Sequence, residues 1–257
     1  MALTLKEVDK VEILTLQDNY IDVAAMDSSD IVQRALPVKD MEIKSSILAE
    51  HGFCAHVTVT TGNRSRSILF DFGFSEYGAA VNADTLEVDL STIEAMVLSH
   101  GHMDHFGGLL SLVEKAGRKG IELVLHPSAF RQSRYLKVSD ERNIKLPSLN
   151  KKKITGANVA VIESVDPRPL LDGSLVFLGE IPKKTDFEKG FPRMYYEENG
   201  ESKWDPIEED SAIVAHVREK GLVILSGCAH AGIVNTVDYA RELTGINRIY
   251  VVMGGFH

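Results

Sequence analysis

Apolar residues recur along this chain in two rhythms: alternation with polar residues, which marks strands, and a three-to-four spacing, which marks helices. Val11-Glu12-Ile13-Leu14-Thr15-Leu16 reads as a strand closed by the turn-prone pair Asp18-Asn19. Residues 21 to 50 follow neither rhythm and read as a loop or short helix over the surface. His56-Val57-Thr58-Val59-Thr60 and Ser67-Ile68-Leu69-Phe70 predict a hairpin turning at Gly62-Asn63-Arg64, and its second arm runs into Asp71-Phe72-Gly73. A helix-to-strand unit follows and ends at Ile93-Glu94-Ala95-Met96-Val97-Leu98-Ser99, a largely apolar strand of the buried kind.

Leu109, Leu110, Leu112, Val113 and Ala116 recur at helical spacing, with Gly117 or Gly120 to end the helix, and Ile121-Glu122-Leu123-Val124-Leu125 is another strand. Residues 140 to 209 are the least regular part. Rich in Lys, Pro, Asp and Glu, they carry two strand candidates, at 159–162 and 174–178. Such a stretch is expected to serve as a lid or substrate-binding insertion within one domain spanning 1–257. A second hairpin is predicted over 212–217 and 222–225, then a helix over 234–243 and a last strand over 249–252. No internal repeat or low-complexity tract interrupts the pattern.

Composition narrows the class. The chain has 257 residues, 44% hydrophobic and 25% charged, as in a soluble globular protein able to bury a sizeable core. Its longest apolar stretches, such as Leu222-Val223-Ile224-Leu225, are too short to cross a bilayer, and Met1-Ala2-Leu3-Thr4-Leu5-Lys6 carries no signal-peptide core. Only two cysteines occur, Cys54 and Cys228, which excludes a disulfide framework and suits a reducing cytoplasm. The net charge of −9, without a dense basic tract, argues against nucleic acid as partner and leaves a small molecule as the expectation.

The chemistry is concentrated in His100-Gly101-His102-Met103-Asp104-His105. Histidines at i and i+2 of an extended segment project to the same side. Asp104 and His105, in the first turn of the helix that follows, can reach back toward the same point. Imidazole and carboxylate suit zinc, iron or manganese, and without a cation such crowding would cost desolvation and repulsion for no return. Gly107-Gly108 removes side-chain bulk where the helix must pack closely.

This run resembles the signature of the metallo-β-lactamase superfamily. The resemblance implies an α/β fold, a four-layer αββα sandwich, with a dinuclear metal site at one edge of its two sheets. By analogy His100 and His102 would serve the first metal, and Asp104 and His105 the second. The cofactors implied are two divalent ions, zinc first, with manganese or iron as alternatives. Asp71 matches the family's Asp-x-Gly position, whose carboxylate orients metal ligands from behind.

Further ligands should come from strand ends on the same edge. Ser226-Gly227-Cys228-Ala229-His230-Ala231-Gly232 follows a predicted strand and precedes a helix, and Gly254-Gly255-Phe256-His257 follows the last strand. His230 and His257 are therefore candidates. Cys228 competes with His230, because relatives carry Asp or Cys at its position. Asp210 stands where many relatives place a histidine, which leaves the first metal's third ligand open. His51, His56 and His126 have no spacing that argues for coordination, and His216 reads as facing core or solvent.

Glu50-His51-Gly52-Phe53-Cys54, Gly179-Glu180-Ile181-Pro182, Asp186-Phe187-Glu188 and the two glycine-histidine segments near the end narrow the resemblance to the dihydropteroate-synthase-like branch. Hydrolysis is the first activity implied: a hydroxide bridging two metals attacks a small anionic substrate. Asp104 would combine ligation with orienting the nucleophile, and Arg131, Arg134, Lys183 and Lys184 would be available to the anionic group. The alternatives are a transferase condensing a pterin pyrophosphate with a ribofuranosyl-aminobenzene phosphate, and a non-catalytic metal-binding protein. The oligomeric state stays open. The chain stops at His257 with no closing helix, so it is either a short or a truncated form.

Overall fold

Residues 5–25, 27–43 and 45–256 are described by a computed structural model, and the candidate ligand His257 lies outside them. Strand alternation sorts the apolar residues into layers. In Arg64–Phe70, Ile68 and Phe70 face a second sheet while Leu69 faces helices. In Ile93–Val97, Ala95 and Val97 point inward and Met96 outward. Glu122–Leu125 repeats the rule, with Val124 inside and Leu123 and Leu125 outside. These strands bury both faces, which is why they read as continuous apolar runs.

One six-stranded sheet runs Ala160–Glu163, Glu122–Leu125, Ile93–Val97, Arg64–Phe70, Cys54–Thr61 and Lys10–Gln17. The other runs Arg168–Leu170, Leu175–Phe177, Ala212–Val217, Gly221–Ser226 and Ile249–Met253, with Glu7–Val8 also paired to Ala212–Val217. Helices Gly78–Thr85 and Leu109–Ala116 cover the first sheet. Helix Ile233–Thr244 covers the second, against Val214, Leu222 and Ile224. The expected α/β sandwich of four layers, αββα, is what the chain forms.

Most predicted elements sit within two residues of their expected bounds. The helix after the histidine run stops at Gly117, which takes the left-handed conformation at φ 63° that glycine adopts without a Cβ penalty. The 140–209 stretch divides in two. Ala160–Glu163 and Leu175–Phe177 join the main sheets, whereas Asn143–Lys145, Met194–Glu198 and Glu201–Trp204 form an outlying four-stranded sheet with Arg134–Lys137. Those outer strands carry Asn, Glu, Ser and Lys, so no apolar alternation announced them.

The topology gathers chain ends on one edge. Ile93–Val97 and Gly221–Ser226 lie in different sheets, and the segments leaving their C-terminal ends meet. A bond from Ser211 N to Ser99 O, 3.0 Å, ties the sheets together there. Among the described residues no helix is long and apolar enough to cross a membrane.

Candidate metal centre

After Ile93–Val97 the chain bends at Ser99 and again at Gly101, and His102, with φ −86° and ψ 147°, stands at the start of helix Met103–Phe106. His100 and His102 come together on either side of the Gly101 bend: their rings lie 4.6 Å apart, with His100 Nε2 3.1 Å from His102 Nδ1. The helical turn then carries His105 back beneath them, 4.2 Å from His100 between ring centres. From the other sheet, Cys228 and His230 arrive around Ala229, which holds a left-handed φ of 56°. Strain of this kind at a non-glycine residue concentrates at functional sites.

His230 lies 4.9 Å from both His100 and His102, and Cys228 Sγ is 3.1 Å from His105 Nε2. Asp104 Oδ2 is 3.4 Å from the same nitrogen. Ligand atoms of His100, Cys228 and His230 fall within 4.8 Å of one another, and so do those of Asp104, His105 and Cys228. Cys228 belongs to both groups. The fold brings both His230 and Cys228 to the centre.

Charge distribution follows from this packing. Burial, with His105, His102 and His230 close by, holds His100 well below the ordinary imidazole value, and burial with His230 and Arg134 does the same to His102. Both are neutral lone-pair donors at pH 7. Burial also acts to lower His105, but Asp71, Asp104 and Cys228 together carry it well above its ordinary value. Burial would raise Asp104, yet His105 and His102 hold its carboxyl below the usual range. Burial raises Cys228, with His105 opposing.

The donor set fits a divalent metal. His102 Nε2 is buried without a hydrogen-bond partner, and so is Asp210 Oδ1, 3.9 Å from His100 Nδ1. Buried polar atoms left in this state cost free energy that coordination would recover. Asp71 stands behind the cluster. Its Oδ1 accepts from Ser99 N at 2.7 Å, and its Oδ2 accepts from Ser99 Oγ at 2.7 Å and His105 Nδ1 at 2.6 Å. A carboxylate on Nδ1 fixes the ring so that Nε2 faces the centre.

The basic residues proposed for an anionic group do not converge on one point. Arg134 is buried beneath the histidine run, its Nε on Asp205 Oδ2 at 2.7 Å and its Nη2 on Glu209. Arg131 pairs with Asp205 at 2.6 Å and with Glu208. Carboxylates thus engage both guanidiniums. Lys184 pairs with Glu242 at 2.6 Å on the surface. Lys183 Nζ donates to Pro206 O, and a Cβ on Gly190 would lie 3.6 Å from that nitrogen and equally far from His230 O.

Around the cluster stand residues to which the sequence reading gave no ligand role. Asp210 is fully buried, and burial raises its carboxyl to about 7, helped by Glu209 and opposed by backbone N–H groups of Ala231 and His230. His51 Nε2 lies 3.4 Å from Asp104 Oδ2 at the mouth, where His51 is 60% exposed. No spacing links His51 to the run, since strands Cys54–Thr61 and Arg64–Phe70 and the segment 71–98 separate them. His126 is buried, accepting from Ser128 N at Nδ1 and lying 3.5 Å from Glu180 at Nε2. His216 faces Glu7 at 3.8 Å, outside the cluster.

Comparison with known proteins agrees with this geometry. The family description "Metallo-beta-lactamase superfamily" matches residues 53–243. The 7,8-dihydropterin-6-methyl-4-(beta-D-ribofuranosyl)-aminobenzene-5'-phosphate synthase of Methanocaldococcus jannaschii is 30% identical over 261 aligned positions, covering 100% of this chain and 81% of the relative. An uncharacterized protein of the same organism, MJ0448, is 29% identical over 81% of this chain and 73% of its own length. Among solved structures, Tm1679, described as a metal-dependent hydrolase of the beta-lactamase superfamily, superposes with a TM-score of 0.67 at 25% identity, covering 96% of this chain and 77% of that one. With the family description spanning most of the chain and the donor cluster standing at the sandwich edge, this chain belongs to the metallo-beta-lactamase superfamily.

Proposed function

We propose that this chain is a metal-dependent hydrolase acting on a small anionic substrate. The observation that carries the reading is the convergence of His100, His102, Asp104, His105, Cys228 and His230 from two sheets onto one buried edge. The likeness to Tm1679 supports it. His100, His102 and His230 would hold one divalent ion, and Asp104 and His105 the other, with Cys228 within reach of both. Zinc suits this nitrogen, sulfur and oxygen donor set best, with manganese or iron as alternatives. Two such ions, when bound, supply Lewis acidity and a water acidified toward neutral pH.

The chain's own residues would divide the remaining work. Asp104 keeps 14% of its side chain exposed and is held ionised, so Oδ2 can orient a proton-bearing nucleophile at the mouth. Asp71 locks His105 at Nδ1. Lys183, beside His230, is placed to meet an anionic group, and the outlying sheet with the segment 179–193 would form the substrate-binding insertion.

A second reading rests on the synthase relative. Its likeness over the whole chain favours group transfer that builds the pterin–aminobenzene product named for that relative. Incubating metal-loaded protein with a panel of lactone, thioester and phosphodiester substrates, and separately with the synthase's substrate pair, separates the two. Turnover of a hydrolytic substrate that His100→Ala abolishes is the expected result. Condensation without hydrolysis would replace the first reading by the second.

A further inference from the structure

The peptide between the two paired histidines is gripped on both sides. Arg134 Nη1 donates to Gly101 O at 3.1 Å, and Glu209 Oε1 accepts from Gly101 N at 3.4 Å. The same Glu209 oxygen pairs with Arg134 Nη2, so carboxylate and guanidinium close a ring around Gly101, holding the peptide groups on both of its sides. Arg134 Nη2 also donates to Ser128 O at 3.2 Å, and Nε to Asp205 Oδ2 at 2.7 Å. Asp205 is held in turn by Arg131 at 2.6 Å and by Ile207 N at 3.0 Å. Arg134 is 2% exposed, and Asp205 and Glu209 are fully buried.

Gly101 is the residue this arrangement requires. A Cβ there would lie 2.5 Å from Arg134 Nη1 and would overlap the carbonyl oxygen of Ala129. The clamp also crosses from one part of the fold to another. Arg134 opens the strand Arg134–Lys137 of the outlying sheet, and Asp205 follows that sheet's strand Glu201–Trp204. Burying three charges is costly unless they are paired, and here Arg134 pairs with both carboxylates, Glu209 through Oε1 alone while its Oε2 stays buried without a hydrogen-bond partner. A network this expensive is centred on Gly101, the residue that joins His100 to His102.

We infer that Arg134, with Glu209 and Asp205, is a positioning residue for the metal centre, fixing the Gly101 peptide so that His100 and His102 hold their mutual geometry. The outlying sheet is thereby tied to the metal loop, and the substrate-binding part and the metal-binding part form one rigid unit. This inference rests on the metal-centre reading.

The test is Arg134→Lys, which keeps the buried positive charge but cannot span Gly101 O, Ser128 O, Asp205 and Glu209 together. Cobalt(II) affinity by chelator competition, the visible cobalt spectrum and the melting temperature of metal-free protein are measured together. The expected result is about a tenfold loss of affinity with an altered spectrum. If Arg134→Lys does not fold, Asp205→Asn, which weakens the hold on Nε and the pairing with Arg131 but leaves Glu209 on Nη2, is expected to lose affinity by a smaller factor. Wild-type affinity and spectrum in a folded variant, even with a lower melting temperature, would overturn the clamp and leave Arg134 a purely structural residue. Wild-type protein that takes up no cobalt would instead remove the metal-centre reading, and the clamp with it.

Discussion

Replacing Asp71 by Asn tests the support behind the centre with almost no change of shape. Asp71 makes three charge-assisted contacts, to Ser99 N, Ser99 Oγ and His105 Nδ1, all between 2.6 and 2.7 Å. The carboxylate accepts all three. An amide has one accepting oxygen and one donating nitrogen, so in either flip a donor of Asn faces a group that had been donating. With the amide nitrogen toward His105, the ring must carry its proton on Nε2, the atom that lies 3.1 Å from Cys228 Sγ. Losing such a partner costs about 10- to 100-fold in metal affinity. That is roughly 1.4–2.8 kcal/mol at about 1.4 kcal/mol per factor of ten. Chelator competition with zinc or cobalt at neutral pH measures the loss, with circular dichroism confirming the fold. A folded Asp71→Asn protein with affinity within about twofold of wild type would refute the reasoning.

Asp210 gives a prediction with a pH signature. Its folded carboxyl is raised to about 7 from an ordinary 3.8, so its favourable proton binding is complete below 3.8 and is lost as pH rises through 7. Metal-free Asp210→Asn, which cannot ionise, should therefore be more stable than wild type above pH 7 and gain nothing below about pH 4. Urea melts across that range check it, and parallel stability curves would contradict it. Gly107→Ala attacks the loop from outside: a Cβ there would overlap the carbonyl oxygen of Phe74, a backbone atom that cannot rotate away. Overpacking of this kind costs on the order of 1–3 kcal/mol, and metal retention should fall with it. A wild-type melting temperature and metal content would show that the segment yields freely.

The histidine run was legible because its whole geometry is local. A bend at Gly101 and one helical turn fix where His100, His102, Asp104 and His105 point, and apolar periodicity on either side fixes the strand and the helix. Cys228 and His230 were legible only as candidates at a strand end; that both reach the centre goes with the left-handed turn at Ala229 between them. Arg134 was read as an anion receptor because an isolated arginine looks available. Its partners Asp205 and Glu209 stand 71 and 75 residues away in sequence, and no spacing reports a contact at that range. The outlying sheet was invisible for a related reason: strands such as Glu201–Trp204 expose most of their side chains and carry no core alternation.

The central claim is that two sheets deliver a donor set able to hold divalent metal at the sandwich edge. Elemental analysis of purified protein, reconstituted with zinc and freed of unbound ion, tests it most directly. The account predicts about two ions per chain, falling sharply in His100→Ala. Protein that carries far less than one ion per chain and gains none on reconstitution would contradict it.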